Sequence, residues 1–357
     1  MSDLPLFAIS FTDDDHVLRL MRDLIMWHEP EARQRTKAFF LPERVEEPVL
    51  SSIFAPLRAI SSPLAHPVGE GFADARAIVS RRGDVTAPLL AGSPRAALIQ
   101  RLGERSKGLD IGACKAVGAE VSLLPRYSLE HVADHTMMLI LAAARRLQAM
   151  RQGLDRPVAQ KGEPGRISYN WPAITGIRAL SGLTLGVVGM GEIGLRVARR
   201  AEAFGMHIVW TSRHSSGADG ASGGWTQADL LTLLASADIV TLHVPPAGLT
   251  DALIGVSELQ RMKPGALLVN TARGALIDEM ALTDALRSGH LSGAALDVYA
   301  AEPLNPSSPL RTMSNVLLTP HVAGGSRQVV LKEMSDICEN LVDTLHGMPP
   351  RHGRIVA

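Results

Sequence analysis

The sequence contains little cysteine, no excess charge of either sign and no long hydrophobic run. Two cysteines in 357 residues can form neither a disulfide framework nor a four-thiolate zinc site. The 36 basic side chains balance the 36 acidic ones, which removes the basic footprint of nucleic-acid and anionic-membrane binders. The longest apolar stretch, Met137 to Ala144, is too short to span a bilayer. We therefore expect no nucleic-acid partner, no membrane association, no metal and a reducing, cytoplasmic location.

The length favours two domains, and the pattern of strands and helices changes near residue 182. Before that point the signals are weak. They predict helices over Asp15–Ile25 and His131–Leu147 and short strands at Ala77–Val79, Leu98–Ile99 and Val121–Leu123. Residues 151–180 are rich in glycine and proline and predict a looser connection.

After Gly182 strands alternate with helices, which is typical of a parallel sheet covered on both faces. The predicted strands are Leu183–Val188, His207–Thr211, Asp238–Leu242, Ala266–Asn270, Gly293–Val298 and Val316–Thr319. The predicted helices are Glu192–Phe204, Thr226–Ala235, Ser257–Met262, Asp278–Arg287 and a long final helix within Gly325–Gly347. Thr226 is the expected cap of the second helix, and Asp278-Glu279 places acid in the first turn of the fourth.

A glycine-rich turn follows the first of these strands. It consists of Gly189, Met190, Gly191, Glu192, Ile193 and Gly194 and fits the pattern GxGxxG. Gly189 permits a tight turn, Gly191 lets the backbone approach a pyrophosphate, and Gly194 lets helix and strand pack closely. The strand–turn–helix–strand context predicts a dinucleotide site. The alternative is a glycine-rich turn that binds no ligand.

The end of the next strand bears on which cofactor binds. NAD-binding proteins of this fold place an acidic residue there to bond the ribose 2′-hydroxyl. Here Ser212 and Arg213 follow the strand, and no acid is present. A missing carboxylate removes repulsion against a 2′-phosphate, and a guanidinium can hold one. We expect NADPH to be preferred, with NADH possible. The alternative is that Arg213 faces solvent.

Polar side chains that can carry chemistry follow several predicted strands. His243, Arg273 and His321 come after three of them, and Glu302 follows a fourth by a short turn. Because ligands of open parallel sheets bind beyond the carboxyl ends of the strands, we expect these side chains to lie at one edge of one sheet.

Five segments of the sequence resemble the D-isomer-specific 2-hydroxyacid dehydrogenases. The resemblance covers roughly residues 75–350, and the first 70 residues match poorly. The segments are Leu185–Gly194 (LGVVGMGEIG), His243-Val244-Pro245, Met262–Glu279 (MKPGALLVNTARGALIDE), Ala294–Leu304 (AALDVYAAEPL) and Leu318–Gly324 (LTPHVAG).

The resemblance implies a fold and an assembly. A Rossmann-type dinucleotide-binding domain over residues 148–322 would be inserted into a discontinuous, flavodoxin-like substrate domain. Residues 1–147 would form the first part of that domain, and a helix within 323–357 would return to it. Both would be doubly wound α/β domains with parallel sheets. The family also implies a homodimer made largely through the cofactor domains.

The resemblance further implies the reduction of a small 2-oxo acid, such as glyoxylate or hydroxypyruvate, to the D-2-hydroxy acid. Arg273 would bind the carboxylate and the carbonyl oxygen through its forked donors. His321 would protonate the developing alkoxide. Glu302 would hold the imidazole and favour its charged form. The structural alternatives are a surface salt bridge for Arg273, a solvated acid for Glu302 and a capping or core role for His321.

Other residues are assigned by their places in the matching segments. Those expected to line the cofactor, together with Arg273 and His321, are His243, Val244, Pro245, Thr271, Ala272, Asp297 and Gly324. For Thr271, Ala272 and Asp297 the alternative is a strand end and a helix-packing loop. In the loop after residues 98–102, Arg105 stands where the family has a second glycine. Arg105 and Ser106 are therefore candidates for substrate recognition, and the extra cation would suit a second acidic group. Arg105 pointing to solvent is the alternative.

Rival interpretations remain within and outside the enzymes. Formate dehydrogenases share this fold but lack the Glu–His pair, and phosphoglycerate dehydrogenases often carry a regulatory extension that this sequence does not show. A redox-sensing binding protein, like the corepressors of this fold, would bind the dinucleotide with little turnover. His131 and His135 have a metal-ligand spacing, but they fall on a helix of the family near the domain junction. Gly220–Gly224 fits GxSxG, but no apolar strand precedes it.

Replacing Arg213 tests the cofactor assignment. If its guanidinium binds the 2′-phosphate, Arg213→Ala should lower kcat/KM for NADPH about tenfold or more and leave that for NADH nearly unchanged. The measurement is kcat/KM with each cofactor for both proteins. A wild-type preference for NADH would contradict the assignment.

Overall fold

The chain folds into two compact units, each built on its own sheet. A computed structural model describes residues 4–154, 174–212, 224–245 and 252–356. The first unit comprises residues 1–127 and 326–357, and the second comprises residues 128–325. Among the described residues, none of the helices has the length and hydropathy that crossing a bilayer requires.

The first unit contains a six-stranded sheet in the order β13-β5-β4-β3-β1-β2. Its strands are β1 (Leu6–Phe11), β2 (Ser62–Val68), β3 (Ala77–Ser80), β4 (Leu98–Leu102), β5 (Glu120–Leu124) and β13 (Arg354–Ile355). Its helices are α1 (His16–Ile25), α2 (Pro30–Phe40), α3 (Glu47–Ser52), α4 (Ala55–Ile60), α5 (Ala87–Ala91), α6 (Ile111–Ala116) and α13 (Arg327–Leu345). The first five strands are parallel in the flavodoxin-like order 2-1-3-4-5, and β13 pairs antiparallel with β5.

The second unit contains a seven-stranded parallel sheet in the order β12-β11-β10-β9-β6-β7-β8. Its strands are β6 (Thr184–Val188), β7 (His207–Thr211), β8 (Thr226–Gln227), β9 (Ile239–Leu242), β10 (Leu267–Asn270), β11 (Gly293–Leu296) and β12 (Val316–Leu318). Its helices are α7 (Ser128–Ala144), α8 (Leu147–Leu154), α9 (Glu192–Ala203), α10 (Leu230–Ser236), α11 (Val256–Arg261) and α12 (Glu279–Arg287). This is the doubly wound, Rossmann-type order, and the strand order reverses between β6 and β9.

The burial of the central strands explains why strands could be predicted from the second half of the sequence. All four residues of β9, β10 and β11 are buried, so these strands appear as continuous apolar runs. Helices cover both faces and form two apolar clusters, one around Leu234 and Leu282 and the other around Val197 and Ile140. The central strands therefore form a rigid base from which the residues after their carboxyl ends project.

Two predicted helix boundaries in this unit are wrong. The predicted helix over Thr226–Ala235 starts later, because Thr226 and Gln227 pair with β7 instead. The cap is Asp229, whose carboxylate accepts a hydrogen bond of 3.0 Å from the Thr232 N–H. The helix over His131–Leu147 is two helices, α7 and α8, separated by Arg146 in the left-handed region at φ 57°. By contrast, Asp278 caps α12 through the N–H groups of residues 280 and 281.

The division into units places residues 128–147 with the second sheet, whereas the sequence-based boundary assigns them to the first domain. The reason is packing, because Ala133, Leu139 and Ile140 of α7 lie in the cluster that also contains Val187 of β6 and Val269 of β10. The assignment of residues 1–147, 148–322 and 323–357 as functional domains stays a prediction.

The first 70 residues supply two strands that the sequence did not indicate. β2 contains Pro63 and Pro67, which lack the N–H that a strand interior needs. It lies at the edge of the sheet, where proline is tolerated. A strand broken by two prolines carries no clear pattern, so its position follows only from pairing with β1.

One carboxylate at the amino edge of the second sheet should stabilise the fold without serving the chemistry. Asp238 accepts a hydrogen bond of 2.8 Å from the Thr184 N–H, and Lys263 Nζ lies 3.0 Å from its other oxygen. Partial burial would raise the pKa of Asp238, but the Thr184 bond and the Lys263 and Arg178 charges outweigh it and lower the pKa.

We expect Asp238→Asn to lower the free energy of unfolding by about 1 kcal/mol at pH 7, because the pair is partly exposed. A lowered folded-state pKa gives stability that is present above the unfolded value and lost as the pH falls through the folded value. The difference between wild type and variant should therefore shrink as the pH is lowered from 7 toward 3. Urea unfolding at several pH values measures it. A difference that grows in acid would contradict this account.

Candidate active site

The glycine-rich turn lies where the strand order of the second sheet reverses. Gly189 follows β6 with φ +100°, and a Cβ there would lie 2.5 Å from the carbonyl oxygen of His243. A Cβ on Gly194 would lie 2.0 Å from the Gly189 carbonyl oxygen. Both positions therefore require glycine, one for its backbone angle and both for close packing. Gly191 is the N-cap of α9 in an extended conformation.

These features fit a dinucleotide. The first N–H groups of the 12-residue helix α9 have no partner within the helix, and they attract the negative charge of a pyrophosphate. Because Gly189 has no Cβ, the turn can lie against the backbone of His243 and the side chain of Val244. Met190 is buried beneath it, whereas Glu192 and Ile193 are half-buried at the start of the helix. We infer that this turn would hold the pyrophosphate.

Of the two residues expected to select the cofactor, Ser212 and Arg213, the structure describes Ser212. The Gly189 N–H donates a hydrogen bond of 2.8 Å to the carbonyl oxygen of Thr211, the last residue of β7. Ser212 comes next and is half-buried. Arg213 lies outside the described residues, so its selecting role stays a prediction.

His243 follows β9 and reaches the same turn through its backbone. Its N–H donates a bond of 2.7 Å to the carbonyl of Val188, and its Nε2 lies 3.0 Å from Thr241 Oγ1. Burial lowers the pKa of His243 to about 3, so the ring is neutral near pH 7. Val244 is half-buried and Pro245 is exposed. A neutral ring next to Gly189 fits a lining role and not that of a charged acid catalyst.

Arg273 is presented by a turn that a buried amide holds in shape. The Asn270 side chain, at the end of β10, donates a bond of 2.8 Å to the Arg273 carbonyl and accepts one of 3.0 Å from the Ala272 N–H. Gly274 then packs against Tyr299 so closely that a Cβ would lie 1.8 Å from its carbonyl carbon. The guanidinium is exposed. Within the described residues it donates one hydrogen bond, of 2.5 Å, to the carbonyl of the neighbouring Ala272.

Glu302 and His321 form a direct pair. His321 Nδ1 lies 2.5 Å from Glu302 Oε2, and the other oxygen of Glu302 accepts a bond of 3.1 Å from the Tyr299 N–H. Partial burial would raise the pKa of Glu302, but the bonds from His321 and Tyr299 and the charges of His321 and Arg273 lower it. Glu302 is therefore ionised near pH 7. With Nδ1 held by the carboxylate, the imidazole is left with Nε2 to exchange a proton elsewhere.

Asp297 supports the turn that carries His321. It is fully buried, and its carboxylate accepts bonds of 3.0 Å from the Val322 N–H and 2.9 Å from the Ala323 N–H. Its Oδ1 also accepts a 2.6 Å bond from the Thr319 hydroxyl. The expected place of Asp297 beside the cofactor stays a prediction; in this structure the carboxylate is buried, and both of its oxygens accept hydrogen bonds from protein donors. Its geometry is that of a positioning group.

The remaining predicted residues are divided between the two units. Thr271 is buried, and its hydroxyl lies 2.9 Å from Thr136 Oγ1. Gly324 follows the His321 turn and would bring a Cβ within 3.3 Å of Val132. Arg105, exposed, and Ser106, half-buried, lie in the first unit in the loop after β4. Arg273, Glu302 and His321 are thus the predicted catalytic residues that share one unit and one sheet edge.

Sequence reasoning missed the groups that hold these side chains in place. Asn270, Tyr299, Thr319 and Glu279 act through buried or backbone contacts; Glu279 accepts a bond of 2.6 Å from the Ala300 N–H. The Tyr299 hydroxyl donates a bond of 2.7 Å to the Thr319 carbonyl. One indication of these four residues was present in the sequence, which is that each lies within a segment that resembles the dehydrogenase family.

Comparison with known proteins shows which proteins this chain is similar to. The model of the D-isomer specific 2-hydroxyacid dehydrogenase NAD-binding domain matches residues 137–323. The chain is 38% identical over 263 residues to a glyoxylate reductase of Aeropyrum pernix, covering 73% of this chain and 77% of that protein. It is 35% identical over 275 residues to a D-3-phosphoglycerate dehydrogenase of Archaeoglobus fulgidus, covering 77% of this chain but only 50% of that protein.

A solved structure matches both units. It is an NADPH-dependent glyoxylate/hydroxypyruvate reductase of Sinorhizobium meliloti in complex with NADP and malonate. The TM-score is 0.58 at 25% identity, and the match covers 98% of this chain and 96% of that one. The likeness therefore extends beyond the dinucleotide-binding domain.

Proposed function

The chain belongs to the D-isomer-specific 2-hydroxyacid dehydrogenase family of NAD(P)-dependent dehydrogenases, and on that premise we propose that it reduces a small 2-oxo acid to the D-2-hydroxy acid. Glyoxylate and hydroxypyruvate are the substrates proposed first, since the Aeropyrum relative is named for glyoxylate and the Sinorhizobium structure for both acids. The observation that supports the proposal best is the Glu302–His321 pair, with Arg273 near enough for its charge to act on Glu302.

The three side chains divide the work that the reaction requires. Arg273 offers an exposed guanidinium, which suits the carboxylate and carbonyl oxygens of a 2-oxo acid. When bound, a reduced nicotinamide supplies the hydride. His321 then gives its Nε2 proton to the oxygen that becomes the hydroxyl, and it takes that proton back in the reverse direction. Glu302, bonded to Nδ1, keeps the ring oriented and compensates its positive charge.

We propose NADPH as the preferred cofactor. The support is that Ser212, and no acid, follows β7, while the Sinorhizobium relative was solved with NADP. A carboxylate at that place would repel a 2′-phosphate.

The participation of Arg105 and Ser106 in substrate binding also stays a proposal. Two buried, unpaired cysteines, Cys114 and Cys338, suit the reducing cytoplasm in which we place the protein.

We also propose that the protein is a homodimer formed through the second unit. Helices α7, α8 and α9 border a groove whose apolar lining residues are Met137, Met138, Leu141, Ala142, Leu147 and Phe204, and whose charged lining residues are Asp134, Arg145 and Arg200. Met138, Leu147 and Phe204 each expose close to half of their side chains or more. Apolar patches of this kind on a polar surface mark protein contacts, and the family resemblance implies a second copy as the occupant.

The experiment that tests the function is a panel of 2-oxo acids assayed with NADPH and with NADH. We expect turnover of at least one small 2-oxo acid. We expect His321→Gln to lower kcat by about a hundredfold or more, because the proton donor is lost. The matched control is His290→Gln, since His290 lies in the same unit and bonds the Leu259 carbonyl instead.

Two results would contradict the function. Near-normal kcat in His321→Gln would remove His321 as the acid. Binding of NADPH without turnover of any acid in the panel would favour a protein that senses the dinucleotide.

Placing a charge in the groove tests the dimer. We expect Met138→Glu to shift the mass measured by analytical ultracentrifugation toward the monomer, because a carboxylate buried against apolar side chains is costly. Met280→Glu is the control, since Met280 is more exposed and lies on α12, outside the groove. A wild-type protein that sediments as a monomer would refute the proposal.

A further inference from the structure

His131 and His135 have the spacing of metal ligands on α7, and the structure shows hydrogen-bond contacts for His135. His135 is nearly buried, with 14% of its side chain exposed. Its Nε2 lies 3.0 Å from Thr319 Oγ1 and 3.5 Å from Asp297 Oδ1. The ring therefore contacts the two residues that hold the turn carrying His321.

The hydrogen positions in this contact follow from what each group can donate. Thr319 Oγ1 lies 2.6 Å from Asp297 Oδ1, and an ionised carboxylate only accepts. The single hydroxyl proton of Thr319 therefore points to Asp297, and its lone pairs face the imidazole. His135 Nε2 must then carry the hydrogen and donate it to Thr319 Oγ1.

Asp297 connects this chain of bonds to the backbone beside the catalytic histidine. Its carboxylate accepts the N–H groups of Val322 and Ala323, the two residues after His321. His321 itself has φ +53°, in the left-handed region that costs energy for any residue other than glycine. That conformation persists only if the groups around the turn hold it.

We propose that His135 is a positioning residue for the reaction. By donating to Thr319 it orients the hydroxyl toward Asp297, and Asp297 then fixes the turn in which His321 meets Glu302. This inference rests on the proposed function for the role of His321, but not for the bonds themselves.

The test compares two replacements of His135. His135→Leu removes the donor and keeps an apolar side chain, whereas His135→Gln keeps an N–H at a similar reach. We expect His135→Leu to lower kcat by about tenfold to a hundredfold, because a displacement near 1 Å is enough for such a loss. The Kd for NADPH should stay within about twofold of wild type, and His135→Gln should recover kcat to within about threefold. His131→Leu, one turn earlier on α7, is the control and should keep wild-type kcat.

Hydrogen–deuterium exchange measures the turn without any substrate. The amides of residues 319–325 should exchange faster in His135→Leu than in wild type, His135→Gln or His131→Leu. If His135→Leu does not fold, Thr319→Val and Thr319→Ser make the same comparison, since only serine keeps the hydroxyl.

The outcomes separate the two proposals. Wild-type kcat and unchanged exchange in His135→Leu would overturn the role of His135, as would equal losses in Thr319→Val and Thr319→Ser. A protein that reduces no acid in the panel would refute the proposed function, while the exchange result would still decide whether His135 holds the turn.

Discussion

The hydrogen bond between Glu302 and His321 is the interaction on which the rest of the site depends. A carboxylate at 2.5 Å from Nδ1 leaves Nε2 as the nitrogen that can exchange a proton with another molecule. The negative charge of Glu302 would also stabilise the imidazole of His321 when that ring carries a positive charge. Glu302 can do this because its pKa is lowered, and that lowering comes from His321, the Tyr299 N–H and Arg273 together. The ionised state of Glu302 therefore depends on both His321 and Arg273.

Close backbone packing is what brings these groups to one edge of the sheet. Gly189 and Gly194 let β6, α9 and the chain after β9 approach within distances that no Cβ permits. Gly274 does the same between the Arg273 turn and Tyr299, next to the loop of Glu302. Buried polar side chains then complete the work, since Asn270 holds the Arg273 turn and Asp297 holds the His321 turn. The side chains proposed to be catalytic are exposed, whereas Asn270 and Asp297 are buried.

The sequence was informative wherever residues are buried on both faces. The predicted strands of the second sheet and the acidic start of the helix at Asp278-Glu279 agree with the structure, because continuous apolar runs and acidic helix starts are local signals. The failures also have local causes. β2 is hidden by Pro63 and Pro67, and the start of α10 was misplaced because a short edge strand takes up Thr226.

By itself, the sequence determined the two-domain α/β plan, the glycine turn and the identity of Arg273, Glu302 and His321 as candidate catalytic groups. Those features are carried by residue type and spacing, which can be read along the chain. Only the tertiary structure decided that Asp297 is buried beneath the His321 turn and that His135 donates to Thr319. The bond that Asp297 accepts from the Val322 N–H joins residues 25 positions apart, and that between His135 and Thr319 joins residues 184 positions apart. No local pattern specifies which of many polar side chains will meet once the sheet and its helices have packed.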